Sequence, residues 1–314
     1  MLLLIQSPQV QVLGITVVTG DAWLKSEVAH TLRMLEIIGR TDIPVVSGAE
    51  YPLVRRKDET ELWEQQYGSV PWVGAWTPRM YHPPDQLGEM PEGKPTTKPL
   101  DEDAAHFLVR MVHKYPHEIT IYAGGPMTNL ALARAIDPEF PGLAKELVLM
   151  GASLNPVTDD PEFVNAPRHE FNLWFDPEAS HAVLTAPWKK IVCTTVDISV
   201  KTRMTQDLID RVKTSNSPAA QYVAKYSRLR GQYNYLWDEL ASLAWLDPSL
   251  ITAKETRYLD VELNHGAAYG ETLSWTEQDK PKIVGPPLEI QVDLNKEKFY
   301  KEFVDLLSAP TPKP

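Results

Sequence analysis

The residues of this chain best suited to chemistry are acids and amides, and they recur just after short apolar runs. Thr19–Gly20–Asp21 follows Val10–Val18, and Gly124–Gly125–Pro126–Met127–Thr128–Asn129 follows Ile119–Ala123. After Leu147–Met150 comes a loop with Asn155, Asp159, Asp160 and Asn165, then Arg168–His169–Glu170–Phe171–Asn172. Asp197 follows Ile191–Val196, and Tyr235–Leu236–Trp237–Asp238–Glu239 opens an apolar helix ending at Leu246–Asp247–Pro248. Such a collar suits a polyhydroxylated neutral ligand and a hard cation. Carboxylates and amide oxygens accept from sugar hydroxyls, and Ca²⁺ takes roughly six to eight oxygen ligands. Each part also has a plainer reading: a tight turn for Gly124–Gly125, helix caps for Asp176 and Asp197, a helix stop for Asp247–Pro248, solvated charge for Asp159–Asp160. No Ser–His–Asp set stands out, and GGPMTN lacks the lysine of a phosphate-binding loop. The eight histidines show no ligand spacing; His169 and His265, nearest the collar, read as surface or hydrogen-bonded residues.

These residues need elements to carry them. Val28, Leu32 and Leu35 mark an amphipathic helix that Gly39 ends, and Ile43–Val46 starts a second strand. Ala104, Phe107, Leu108, Met111 and Val112 form a helical stripe before the strand Ile119–Ala123, and a further helix runs through Leu130–Ala135. Leu147–Met150 and Ile191–Val196 are strands, and Asp176–Pro177–Glu178 starts a helix between them. Alternating elements with continuously apolar strands imply an α/β fold, a parallel sheet covered by helices on both faces. Ligands of such sheets sit beyond the carboxyl ends of the strands, where the collar lies.

The chain is read as one domain over 1–307, with a proline-rich segment over 76–100, open between an active-site lid and a disordered excursion, and a disordered tail over 308–314. Its 314 residues carry a net charge of −11, which disfavours a nucleic-acid partner because phosphate contacts need clustered Lys and Arg. The single Cys193 excludes a disulfide framework and reads as a small buried hydrophobe. No apolar stretch reaches the ~20 residues of a membrane-spanning helix. Met1–Ile5 reads as the end of a helix and is not a signal peptide. The sequence leaves the compartment open: cytoplasmic as it stands, with export the alternative where a signal precedes Met1.

In this order and spacing, six stretches make the chain resemble the inosine–uridine-preferring nucleoside hydrolase family: Val12–Asp21, His30–Ile43, Ile119–Ala133, Leu147–Gly151, Glu170–Ala179 and Trp237–Pro248. The resemblance implies a Rossmann-like fold, a Ca²⁺ at the base of a ribose pocket, and hydrolysis of the N-glycosidic bond of a ribonucleoside. It offers the Gly124 carbonyl and the Asp238 carboxylate to the metal. Glu170, Asn172 and Asp21 would grip ribose hydroxyls, with Asn165, five residues before Glu170, as the loop amide and Asn155 competing with it. Relatives are commonly dimers or tetramers, so a homo-oligomer is expected.

Two features depart from the family. Its D-x-D-x-x-x-D-D run, which brings metal carboxylates and the water-activating base, does not occur here, and alignment puts it just before Met1. The catalytic base is therefore expected upstream of Met1, and weak metal binding with little catalysis is expected of the chain as given. A misplaced start codon or shortened chain is the preferred explanation over a genuine loss. Many relatives also carry histidine before the late aspartate, as an acid for the leaving base; Trp237 stands there and stacks rather than protonates. Trp72, Trp76, Trp174, Tyr233 and Tyr235 are candidates to join it, which leaves purine or pyrimidine preference open. Against the hydrolase stand a non-catalytic nucleoside or pentose binder on the same scaffold, and a glycosidase using Glu170 and Asp238 as its carboxylate pair.

Overall fold

A computed structural model describes residues 1–78 and 81–313. The first half of the chain alternates strand and helix. It runs through α1 (Leu2–Gln6), β1 (Ile15–Val17), α2 (Leu24–Ile38), β2 (Val45–Ser47), α3 (Lys57–Tyr67), α4 (Ala104–Lys114), β3 (Thr120–Ala123), α5 (Thr128–Ile136), α6 (Phe140–Leu143) and β4 (Glu146–Met150). The second half contains α7 (Pro161–Asn165), α8 (Phe171–Phe175), α9 (Pro177–Leu184), β5 (Ile191–Thr194), α10 (Val196–Ser199), β6 (Arg203–Thr205), α11 (Gln206–Lys213) and α12 (Pro218–Tyr226). It closes with β7 (Tyr233–Tyr235), α13 (Trp237–Leu246), β8 (Ile251–Val261), β9 (Thr272–Trp275), β10 (Leu288–Leu294) and α14 (Lys296–Ser308).

The main sheet has the order β3-β4-β5-β10-β8-β9, parallel from β3 to β10 and antiparallel across β8 and β9. Every residue of β4 and β5 is buried, as the continuous apolar runs require of strands covered on both faces. Leu147 and Leu149 face a core shared with α5 and α9, whereas Met150 packs with Ala241 of α13. The antiparallel edge is not foreshadowed by those runs. In β8, which lies between β10 and the edge strand β9, exposed and buried residues mix.

β1 and β2 pair with each other as a separate parallel ribbon. Only Ile15–Val17 of the expected Val10–Val18 strand is extended in a ladder, since a strand is defined by its partner and β2 offers three residues. The ribbon is tied to the main sheet by Asn129 of α5, whose Nδ2 donates to the Val17 carbonyl at 3.0 Å while Oδ1 accepts from Ala49 N at 2.8 Å.

The 76–100 segment, apart from Arg79 and Met80, which lie outside the described residues, contains no strand or α-helix. It lies against the outer face of α2. Ser26 Oγ accepts from Gly88 N, Glu92 pairs with His30, and Glu36 Oε1 accepts from Thr96 N and Thr97 N. At the other end, the 308–313 stretch is held by Gln6 Nε2 on the Ala309 carbonyl and by Arg40 on the Pro312 carbonyl; Pro314 lies outside the described residues.

Candidate active site

Loops leaving the carboxyl ends of β1, β3 and β4 meet at one point. A Cβ placed on Gly20, after β1, would stand 3.1 Å from Pro126 Cδ, after β3, and 4.0 Å from the Phe171 ring, after β4. The turn Gly74–Trp76 docks on the same point: Ala75 N donates to the Gly20 carbonyl at 2.9 Å. Gly74 has φ +57°, and a side chain there would meet that carbonyl at 2.3 Å, so only glycine admits the contact.

Four of the expected site residues come from these loops. Asp21 sits on the turn after β1, reached by solvent yet ringed by protein, and its Oδ1 accepts from Trp72 Nε1 at 2.6 Å. Glu170 is the N-cap of α8: Oε1 accepts from Asn172 N, and Oε2 from Leu173 N and Ala152 N. Those three bonds leave about one acceptor site of a carboxylate's four free for a hydroxyl. Asn172 donates through Nδ2 to the Met150 carbonyl at 3.0 Å, which fixes its side chain at the end of β4 with Oδ1 free of protein donors among the described residues. Gly124 abuts Asp238 so closely that a Cβ would lie 2.7 Å from Asp238 Oδ1. The Tyr122 hydroxyl holds the same turn of α13 by donating to the Asp238 carbonyl at 2.9 Å.

Burial and mutual repulsion hold these carboxyls above their ordinary range. Burial raises Glu170 to about 7 against its three N–H donors. Asp238 is raised by burial, then by Glu239 beside it, with Asp21 and Glu170 adding repulsion. Burial also raises Asp21, opposed by the Trp72 bond and the Arg230 charge. Asp21, Glu170 and Asp238, from three different strand ends, thus share one electrostatic neighbourhood. That neighbourhood favours a positive charge among them.

Asp238 and Gly124 do not make a metal site by themselves. Among the described residues no group of three or more His, Cys, Asp or Glu side chains could hold a metal ion. One carboxylate and one carbonyl fall well short of the roughly six oxygens calcium takes, so these residues alone do not fit that ion.

Trp237 projects beside Asp238 into an aromatic wall, 4.8 Å from Tyr235 and 5.8 Å from Phe163 between ring centroids. Tyr235 is anchored by its hydroxyl on Asp160 Oδ2 at 3.1 Å, and Tyr233 lies 5.3 Å from Tyr235. Trp76 and Trp174, expected as wall candidates, are buried in a separate core with Trp23 and Phe175. Asn165 is exposed at the end of α7 and makes no side-chain hydrogen bond among the described residues; Asn155 is exposed too, its backbone N–H donating to Asp197. His169 is buried at 3% exposure, and burial with the nearby Arg55 charge lowers it to about 4. His265 stacks on Tyr269 at the surface, and Cys193 is buried with its thiol on the Gly151 carbonyl.

Sequence reasoning missed Glu162, Arg230 and Glu27. Glu162 on α7 has its carboxyl raised to about 7 by burial and the Asp160 charge. The Arg230 guanidinium lies 4.2 Å over the Trp72 ring. Glu27 accepts from Ala22 N at 2.9 Å and braces the Asp21 turn. None lies in a motif, and a lone acid or arginine in a polar stretch gives no signal of facing a hollow.

A groove of about 360 Å³ lined by Lys145, Glu146, Lys190, Trp245 and Gln291 among others opens near the amino ends of β4 and β5, away from this chemistry.

An α/β sheet with oxygen-rich loops at its strand ends and an aromatic wall beside them defines a sugar-handling hydrolase scaffold. The chain belongs to the inosine-uridine preferring nucleoside hydrolase family, which matches residues 1–301. It is 31% identical over 298 residues to a protein named probable uridine nucleosidase 2 of Arabidopsis thaliana, covering 89% of this chain and 85% of that one. Uridine nucleosidase 1 of the same plant is 30% identical over 281 residues, with 87% and 76% covered. Among solved structures, a plant nucleoside hydrolase superposes with a TM-score of 0.78 at 25% identity, covering 98% of this chain and 94% of that one. The chain is thus a nucleoside hydrolase by family, its reaction the hydrolysis of ribonucleosides. Members of the family generally bind a metal ion.

Proposed function

We propose that the ribose of a ribonucleoside seats on Asp21, Glu170 and Asn172 beside Asp238, with its base against Trp237 and Tyr235, which the buried Phe163 backs. The observation that carries this reading is that the loops bearing Asp21, Gly124 and Glu170 converge at Gly20, Pro126 and Phe171, with Gly124 against Asp238 and the Asp238 carboxyl within range of the charges of both Asp21 and Glu170. A pentose hydroxyl donates to the remaining lone pair of Glu170, and Asn172 Oδ1 accepts another. As the C1′–N bond lengthens, the ring gains oxocarbenium character, and fixed carboxylates around it stabilise that charge more than the neutral ground state. Two plant relatives are named uridine nucleosidases, which favours uridine as the first substrate to test.

For the family's metal ion we propose calcium, because the collar offers oxygen donors. The described side chains supply too few to hold it alone, and no step is assigned to it. The D-x-D-x-x-x-D-D run is absent from residues 1–314, so no side chain here is assigned as the water-activating base.

The test is release of free base and ribose from uridine and inosine, with and without chelator, in the wild type and Asn172→Ala. Turnover by the wild type, with KM raised tenfold or more in the variant, supports the reading. Failure to turn over or bind either nucleoside refutes it, and an unchanged KM removes Asn172 from the ribose contacts.

A further inference from the structure

We infer that Glu162 is the proton donor to the departing nucleobase. The inference rests on the hydrolase reading above and concerns the end of the site that Trp237 leaves without an acid.

Geometry places Glu162 at the rim. It lies on α7 next to the buried Phe163, whose ring meets Trp237 at 5.8 Å, so the turn that carries Glu162 packs directly behind the aromatic wall. The N-cap Asp160 fixes that turn, taking Glu162 N on Oδ1 at 3.0 Å and the Tyr235 hydroxyl on Oδ2. The Glu162 carboxyl itself has no hydrogen-bond or ion-pair partner among the described residues, although the residue is half-buried. A half-buried carboxyl without a protein partner is reached by solvent, and beside the Trp237 wall it is equally open to substrate.

Three charged groups face it. Asp160 stands on the same turn, Glu170 feels its charge, and Arg230 lies near enough to ease the ionisation of both Glu162 and Asp21. Arg230 has no acidic partner within ion-pair distance among the described residues and lies flat over Trp72. Burial and Asp160 keep Glu162 protonated to about pH 7, the range in which a general acid works best. Once the proton has gone, Arg230 stabilises the carboxylate left behind.

The step balances within hydrolysis. The C1′–N bond breaks, its electron pair goes to the base, and the Glu162 O–H proton moves to that base. A water oxygen bonds to C1′ and loses one proton to solvent, from which Glu162 takes one back. The sum is nucleoside plus water giving ribose plus neutral base.

The test compares uridine with 4-nitrophenyl β-ribofuranoside, whose leaving group departs without protonation, in the wild type and Glu162→Gln. The glutamine keeps size and polarity but has no acidic proton. The expected result is a kcat on uridine lowered a hundredfold or more, a kcat on the nitrophenyl riboside within threefold of wild type, and loss of the limb near pH 7 from the uridine kcat/KM profile. Equal loss on both substrates, or no loss on uridine, overturns the assignment. A wild type active on the nitrophenyl riboside and silent on uridine also overturns it while leaving the glycosidase chemistry standing. A wild type inactive on both overturns the hydrolase reading and this assignment with it.

Discussion

Replacing Gly124 by alanine tests whether the junction of β3 and α13 sets the chemistry. A Cβ at that position would stand 2.7 Å from Asp238 Oδ1 and 3.1 Å from Tyr122 Cε1. An ordinary contact begins near 3.4 Å, so the carboxylate must retreat by roughly 0.7 Å or the β3–α5 turn must move. Neither is easy, because Asp238 is short and half-buried and the Tyr122 hydroxyl is bonded to its carbonyl. Gly124 does not have a positive φ, so alanine brings a clash without backbone strain. Overpacking of this kind costs about 1–3 kcal/mol, and a displacement approaching 1 Å in a catalytic constellation costs on the order of a hundredfold in rate. The expected outcome is a kcat/KM for uridine lowered about 10- to 100-fold with a modest fall in Tm. Gly125→Ala is the matched control, since its Cβ would meet only Val18 Cγ1 at 3.7 Å. Steady-state kinetics and thermal unfolding on both variants decide the matter. If Gly124→Ala keeps kcat/KM within twofold of wild type, or Gly125→Ala falls equally, then the position of Asp238 does not control turnover.

Glu27→Gln should make stability less sensitive to pH between 4.5 and 7. Burial, then the Asp21 charge, raises Glu27 from its ordinary 4.5 to about 7 in the folded chain. Its favourable contribution is therefore complete below pH 4.5 and lost as pH rises to 7, because the unfolded chain ionises first. Glutamine keeps the acceptor for Ala22 N, so the variant should gain up to about 3 kcal/mol over wild type between pH 4.5 and 8, read from urea unfolding. Parallel pH curves for the two proteins would show that Glu27 is not held in that state. Trp237→Ala should weaken nucleoside binding by tenfold or more, since it removes the wall beside Tyr235 and Phe163. Trp245→Ala should instead lower Tm with KM unchanged, since that indole donates to Glu146 at the far end of α13; equal effects on KM would return Trp237 to a packing role.

Much of this arrangement was legible before any coordinates. Continuous apolar runs at Leu147–Met150 and Ile191–Val196 became β4 and β5, and Asp176 does cap α9 through Ala179 N. That aspartate also takes Thr128 Oγ1 and Leu53 N, tying three loops together. Long-range bonds of this sort leave no local trace, which is why the threonine and asparagine of GGPMTN gave no hint of bracing Asp176, Val17 and Ala49. The same limit applies to Trp76 and Trp174. An indole in a wall and an indole in a core look alike in sequence, and burial alone separates them. The antiparallel edge was illegible for a different reason: β8 mixes exposed and buried positions over eleven residues, a period that neither strand nor helix templates catch cleanly.

The carboxyls explain why the fold concentrates reactivity at one rim. Each is held by bonds that a structural account would also demand: Glu170 caps α8, Glu27 braces a turn, and Asp21 takes an indole N–H. Structural caps at a surface fall below the ordinary carboxylate value, as Asp247 and Asp103 do here, both lowered by their donors. Glu170, Asp21 and Glu27 move the other way although they also accept hydrogen bonds. Their donors are outweighed by burial, and at Glu27 by the Asp21 charge as well, an arrangement that costs stability and is relieved when positive charge develops beside them. A ribosyl ring losing its base supplies that charge transiently. On this account, ground-state nucleoside should bind weakly, and a cationic ribose mimic such as an iminoribitol should bind at least a hundredfold more tightly than ribose. Equal affinity for the two in calorimetry would show that the repulsion at this rim serves something other than glycosidic cleavage.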